Sequence, residues 1–232
     1  MKTIISEKTC CEVQAAEHIK SLIGEKPDAV IAFAGGAGTA GLYEYLLDLY
    51  RREEISFRKV RALLLADFIG VPHEKSCAAA VFDSFLFNTD ILNENCFSPD
   101  ENDPTAYDEL IESLGGLDLA VLGLGENAHI GYNEPATPFA SLTHVQKLTD
   151  ATKRQNASLF AGADKLPELA VTMGIKTITD ARDILVLAFG ERKAEAAHKM
   201  LYGRNDSVVP AAFLQIPMNV TVYLDEAASS QL

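Results

Sequence analysis

The segment Gly123-Leu124-Gly125-Glu126-Asn127-Ala128-His129-Ile130-Gly131-Tyr132-Asn133-Glu134-Pro135 gathers a histidine, two asparagines and two glutamates in one glycine-punctuated stretch. A histidine titrates near neutral pH and moves protons. Glu134, five residues on, is in reach to hydrogen-bond one ring nitrogen and so fix tautomer and orientation. Taken alone, His129 is equally a residue that ties down a loop; its place directly after an apolar run favours acid–base chemistry. A second candidate is Gly35-Gly36-Ala37-Gly38-Thr39, which follows another apolar run and leads into a helical pattern. Small residues let a backbone approach an anion closely, and the N–H groups opening the helix point at that anion. The pattern is neither GxGxxG nor Gly-Lys-Ser/Thr, and a tight strand–helix turn would need the same glycines. Lys193, in Gly190-Glu191-Arg192-Lys193, is placed either to meet a phosphate as a point charge or to sit solvated in a first helical turn. Asp67, in Ala66-Asp67-Phe68-Ile69-Gly70, suits a base, a helix cap or a turn.

These residues need elements to hold them. Five apolar runs read as strands: Ala29–Ala34, Val60–Ala66, Leu117–Leu124, Ile184–Phe189 and Val220–Leu224. Most are continuous rather than alternating, as in strands covered on both faces. Helix-period segments lie between them, at Cys11–Gly24, Thr39–Arg52, Ser76–Phe87, Thr105–Leu114 and Arg192–Tyr202. This alternation predicts an α/β fold: a doubly wound, mainly parallel, Rossmann-like sheet with helices on both faces. The 232 residues fit one such domain, residues 1–232, with the acidic stretch Ser98–Pro104 as an exposed loop inside it. In such sheets ligands bind beyond the carboxyl ends of the strands, which is where all the candidates fall.

Composition narrows the partners. With 33 acidic against 20 basic residues the formal net charge is -13, a field that repels nucleic acid and anionic membranes. A small anionic substrate is compatible with it, because screening confines the repulsion to roughly 10 Å. The cysteines, Cys10, Cys11, Cys77 and Cys96, include no CxxC pair and read as reduced thiols of a cytoplasmic protein. The first residues lack the apolar core of a signal peptide, and no apolar run reaches the roughly 18 residues of a membrane span. His18, His73, His144 and His198 stand in no constellation, and no histidine pair has metal-ligand spacing, so no metal is expected. The sequence is compatible with a homo-oligomer and carries no sign of one.

Gly123–Pro135 resembles the GxGxxGHIGFNEP signature of glucosamine-6-phosphate deaminases and the galactosamine-6-phosphate isomerases related to them. Further segments match in the same order: Gly35–Tyr43 resembles the family's phosphate loop, Leu65–Val71 its LDEYVGL, and Leu148–Phe160 its LTxxTxxxNxxFF. Ala170–Arg182, Gly190–Ala194, Val209–Gln215 and Leu224–Ala227 also match, so the resemblance covers nearly the whole chain. It implies conversion of a 2-amino-2-deoxyhexose 6-phosphate to a ketohexose 6-phosphate and ammonia, without a cofactor. It implies that His129 opens the pyranose ring, held by Glu134 and Asn127, and that Gly35–Thr39 with Lys193 hold the 6-phosphate. The aspartate of LDEY, which moves the C2 proton to C1, falls on Ala66, and the neighbouring glutamate falls on Asp67. Either Asp67 serves from a shifted backbone, or the chemistry differs, or it is lost. Ala128 stands at the usual glycine, Ser158 at the arginine of NxRFF with Lys153 and Arg154 one turn earlier as substitutes, and Leu214-Gln215-Ile216-Pro217 lacks the histidine of LQxH. The alternatives are a 6-phosphogluconolactonase-like hydrolase and a non-catalytic sugar-phosphate-binding paralogue.

Overall fold

The structure of the protein is a computed structural model that describes residues 1–160 and 166–232. In chain order the regular elements are β1 (Lys2–Ile5), α1 (Lys8–Glu25), β2 (Val30–Phe33), α2 (Ala40–Arg51), β3 (Arg61–Leu64), β4 (Ala66–Phe68), β5 (Cys96–Phe97), α3 (Thr105–Ser113) and β6 (Leu119–Gly123). They continue with β7 (His144–Lys147), α4 (Asp150–Asn156), β8 (Leu169–Thr172), α5 (Ile175–Thr179), β9 (Asp183–Ala188), α6 (Ala194–Tyr202) and β10 (Val220–Leu224).

Seven strands form one parallel sheet in the order β1-β10-β9-β6-β2-β3-β5. The apolar runs become its centre because they lose water on both faces: all four residues of β2 are buried, as are five of six in β9. Each fully buried Leu, Ile or Phe contributes about 1.5–3 kcal/mol. Phe33 at the end of β2 packs edge-on to Tyr43 and Phe85, with ring centroids 6.0 and 5.8 Å apart. Aromatic side chains from α2 and from the segment after Cys77 thereby meet at the sheet. From β2 the chain runs to β3 on one side and later returns through β6 on the other. The carboxyl ends of β2 and β6 therefore flank the crevice where the winding reverses, which is where open α/β sheets bind ligands.

Three features differ from the sequence reading. The edge strand β1 lies mostly exposed against β10 and has no apolar run to announce it. The expected strand Val60–Ala66 is split. β3 ends at Leu64, and Ala66–Phe68 joins a second, three-stranded antiparallel sheet in the order β4-β8-β7. Leu65 is the joint: its N–H donates to Phe33 O at 3.0 Å in one sheet, and its carbonyl accepts from Met173 N at 2.9 Å beside the other. The expected helix Ser76–Phe87 is broken into a π-helical turn, Ala79–Asp83, and a short 3-10 turn, Leu86–Asn88. Among the described residues no helix is long and apolar enough to cross a membrane, and all four cysteines are free thiols.

Candidate active site

A cavity of about 390 Å³ opens at the β2–β6 crevice. Its walls include the Gly35–Gly38 loop, Leu65 and Ala66, Cys77, His129, Tyr132 and Lys193. A shallower depression of about 480 Å³ near Arg51 and Asp90 contains none of these residues.

His129 is buried at the end of β6, and its surroundings fix its tautomer. Nδ1 lies 2.7 Å from Asn127 Oδ1 and 3.1 Å from Thr152 Oγ1. Asn127 Nδ2 donates to Glu134 Oε2 at 2.7 Å, so its Oδ1 is the atom turned to the ring and accepts from Nδ1–H. The Nε2 atom is left with a lone pair and, among the described residues, no protein partner. Glu134 does not touch the ring as the sequence suggested: Oε2 is 3.9 Å from Nδ1. It acts through Asn127 and also accepts from Thr149 N and Oγ1 at 3.0 and 3.2 Å. Burial holds His129 below the ordinary histidine range; Glu134 opposes this and Lys193 adds to it. The local backbone is shaped for the ring. A Cβ at Gly125 would lie 2.4 Å from the imidazole, and Ala128 adopts φ +63 to turn the chain back toward Gly125.

Opposite stands the glycine loop. Thr39 Oγ1 donates to Ala34 O at 2.9 Å and to Gly36 O at 3.2 Å, and Tyr43 Oη donates to Ala34 O at 2.6 Å, which ties the loop to the start of α2. Thr39 is thus a strut of the loop, while Gly35, Gly36, Ala37 and Gly38 line the cavity. Gly35 has no room for a side chain: a Cβ there would lie 2.6 Å from Cys77 Cβ. Lys193 approaches from the end of β9, after a turn at Gly190 (φ +88) whose N–H donates to the Asp225 carboxylate at 2.9 Å. Burial lowers the Lys193 pKa, with Glu126 opposing and Arg192 adding. The geometry therefore joins the buried His129 imidazole, the Lys193 amine and the Gly35–Gly38 backbone around a single cavity.

Residues 8–223 match the family described as glucosamine-6-phosphate isomerases/6-phosphogluconolactonase. The chain belongs to this family. A glucosamine-6-phosphate deaminase of Clostridium acetobutylicum is 39% identical over 226 residues, 94% of each chain. One from Bacillus velezensis is 38% identical over 224 residues, 93% of each. The solved structure of a monomeric glucosamine-6-phosphate deaminase superposes with a TM-score of 0.95 at 36% identity, covering 100% of both chains. The 6-phosphogluconolactonase of Trypanosoma brucei shares the fold, with a TM-score of 0.76 at 22% identity over 100% of this chain and 99% of that one.

This glucosamine-6-phosphate isomerase/6-phosphogluconolactonase family member differs from its own signature on one wall. Ala66, at the aspartate of LDEY, lines the cavity and brings only a methyl group. Asp67 does not take its place. Next in a strand, it faces away from Ala66, and its carboxylate accepts from Phe68 N and Cys77 N at 2.8 and 2.7 Å and from Ala78 N at 3.3 Å. It caps the turn that starts at Cys77. Burial raises its pKa, and the three N–H groups oppose that rise. Asp67→Ala strands the buried Cys77 N–H and should cost about 1–3 kcal/mol in denaturant unfolding. Turnover per folded molecule should not change; its loss at full stability would return Asp67 to the cavity.

The proposed substitutes for the missing arginine also lie elsewhere. Lys153 pairs with Glu168 at 2.6 Å and Arg154 is exposed, while Gln155, Asn156 and Ser158 line the cavity. The added cations are Lys8, at the start of α1, and Arg192, whose Nη1 is 3.4 Å from Glu126 Oε1. Sequence reasoning missed Lys8 because 185 positions separate it from Lys193. Arg192 was adjacent to a chosen residue, which was the available signal.

Proposed function

We propose that this cavity binds a hexosamine 6-phosphate, and that the protein is an amino-sugar-phosphate deaminase–isomerase. It would convert galactosamine 6-phosphate or glucosamine 6-phosphate to a ketohexose 6-phosphate and ammonia. The observation that carries this reading is the Nε2 of His129, without a protein partner among the described residues, in the same cavity as the Gly35–Gly38 loop and Lys193. The phosphate sits at the loop and α2 N-terminus, with Lys193 as its counter-charge. That remote binding energy positions the ring oxygen and C1 for His129. Asn127 and Glu134 keep Nδ1 protonated and Nε2 available. The relatives named as glucosamine-6-phosphate deaminases support the substrate class.

Lys193→Ala tests the phosphate site. A charge-assisted hydrogen bond is worth about 1.5–3 kcal/mol, so calorimetry should show sugar-phosphate affinity falling roughly tenfold or more. Unchanged affinity would take Lys193 out of the site and the phosphate with it.

Ala66 favours a second reading. Lactone hydrolysis needs a base for water and no carboxylate at C2, and the neutral His129 supplies that base. Ammonia release from both hexosamine phosphates, measured beside hydrolysis of a 6-phosphogluconolactone, separates the two readings.

A further inference from the structure

The cavity is locally positive, although the chain has a formal net charge of -13. Its described lining carries three cations, Lys8, Arg192 and Lys193, against one carboxylate, Glu126. Arg192 stands 3.4 Å from Glu126, which leaves Lys8 and Lys193 without a carboxylate among the described lining residues. Two such lysines suit an anion of similar charge, and a phosphate monoester carries about -1.5 to -2 at neutral pH.

The neighbours of Lys8 locate its ammonium. Lys8 is the first residue of α1, and its Nζ lies 5.8 Å from the centroid of the Phe189 ring, itself part of the cavity wall. Its other neighbour is Glu12, one turn along α1, whose Oε1 is 3.6 Å from Nζ. Glu12 packs so closely on the first turn of α2 that a Cβ at Gly41 would collide with Oε1. The ammonium therefore lies close both to Phe189 and to the opening turn of α2, the helix that the Gly35–Gly38 loop feeds. Neither neighbour uses up its hydrogens: 3.6 Å is too long for a hydrogen bond, and the ring is a weak partner at this range. Glu12 is 6% exposed, and among the described residues its Oε1 has no hydrogen-bond partner. Burial raises its pKa, and Lys8 opposes the rise. Helix α1 itself gains little from Lys8. A cation in the first turn opposes the helix dipole, and lysine four residues before glutamate is the weaker order of a helical pair.

We propose that Lys8 is a second anion-binding lysine of this cavity, contacting the phosphoryl group of a sugar phosphate together with Lys193, with Glu12 as its counter-charge when no ligand is bound. This rests on the cavity taking a phosphate monoester at all. A phosphoryl oxygen accepts the ammonium hydrogens that Glu12 does not reach, beside the N–H groups that open α2. The half-exposed Lys8 side chain has the freedom to turn toward it.

Calorimetry on the full chain with inorganic phosphate and glucosamine 6-phosphate tests this in the wild type, Lys8→Met, Glu12→Gln and the double variant. Lys8→Met should lower the affinity for both ligands by about three- to tenfold, less than the loss expected for Lys193→Ala because water screens a half-exposed charge. The same factor should separate the double variant from Glu12→Gln, a background in which no buried carboxylate is left without its lysine. Unchanged phosphate affinity in Lys8→Met would overturn the proposal. So would a loss that disappears in the Glu12→Gln background, since Lys8 would then only offset Glu12. A loss confined to glucosamine 6-phosphate would overturn it too, because the contact would lie off the phosphoryl group. Wild-type protein that binds neither ligand would instead overturn the functional reading beneath it.

Discussion

Ala66→Asp is expected to raise ammonia release from hexosamine 6-phosphates by about 10²-fold or more, the lower end of what one positioned acid–base group supplies. Isomerisation requires a group that lifts the proton from C2 and returns it to C1. Ala66 sits on the cavity wall at the aspartate of LDEY, and its methyl cannot act. Asp67 is engaged with the N–H groups of Phe68, Cys77 and Ala78. Glu126, the one carboxylate among the described lining residues, stands beside Arg192 rather than on this wall. Wild-type deaminase activity should therefore be weak, and Asp67→Asn should not abolish what there is. Both rates are read from ammonia release under saturating substrate. A gain from Ala66→Asp alone would show that the rest of the machinery is intact and lacks only its base. No gain, alongside lactone hydrolysis by the wild type, would favour the hydrolase. Strong wild-type activity that survives Asp67→Asn would mean that the base is another group.

The parallel sheet was legible because its central strands are buried on both faces, and burial on both faces writes itself as uninterrupted Val, Leu, Ile and Ala. β1, β4, β7 and β8 were not legible for the opposite reason. They are short and partly exposed, and their pairing is decided by tertiary contacts such as the Leu65 joint. Among candidate site residues, His129 and Lys193 were found because strand ends in such sheets converge. Asp67 could not be placed from sequence, since one residue of register turns a side chain to the other face. The strand break at Leu65 is visible only in the hydrogen bonds. The Glu134–Asn127–His129 relay was half legible: the residue types were evident, while the order of contact depends on which atoms face inward. Lys8 and Tyr132 gave no signal, because the cavity residues they join lie on other elements.

His129→Gln is expected to slow turnover of the closed pyranose by about 10²–10⁴-fold, the full span for an acid–base group. An open-chain analogue, which needs no ring opening, should lose far less. Equal losses on both forms would reduce His129 to a residue that shapes the loop. The pH behaviour provides an independent check. Burial keeps His129 neutral in the folded protein to lower pH than in the unfolded chain, whose histidine protonates near 6.5. Below about 6.5 the unfolded chain therefore binds the extra proton, and stability falls as pH falls toward the lowered folded value. His129→Gln removes that site from both states, so part of the acid-side loss of stability should disappear, although turnover is lost. The same lowered pKa places the acid limb of wild-type turnover below the ordinary histidine value. An acid limb near 6.5, or an unchanged stability profile in His129→Gln, would mean that the ring is not held neutral by its burial. The tautomer assigned through Asn127 would then no longer account for a free Nε2.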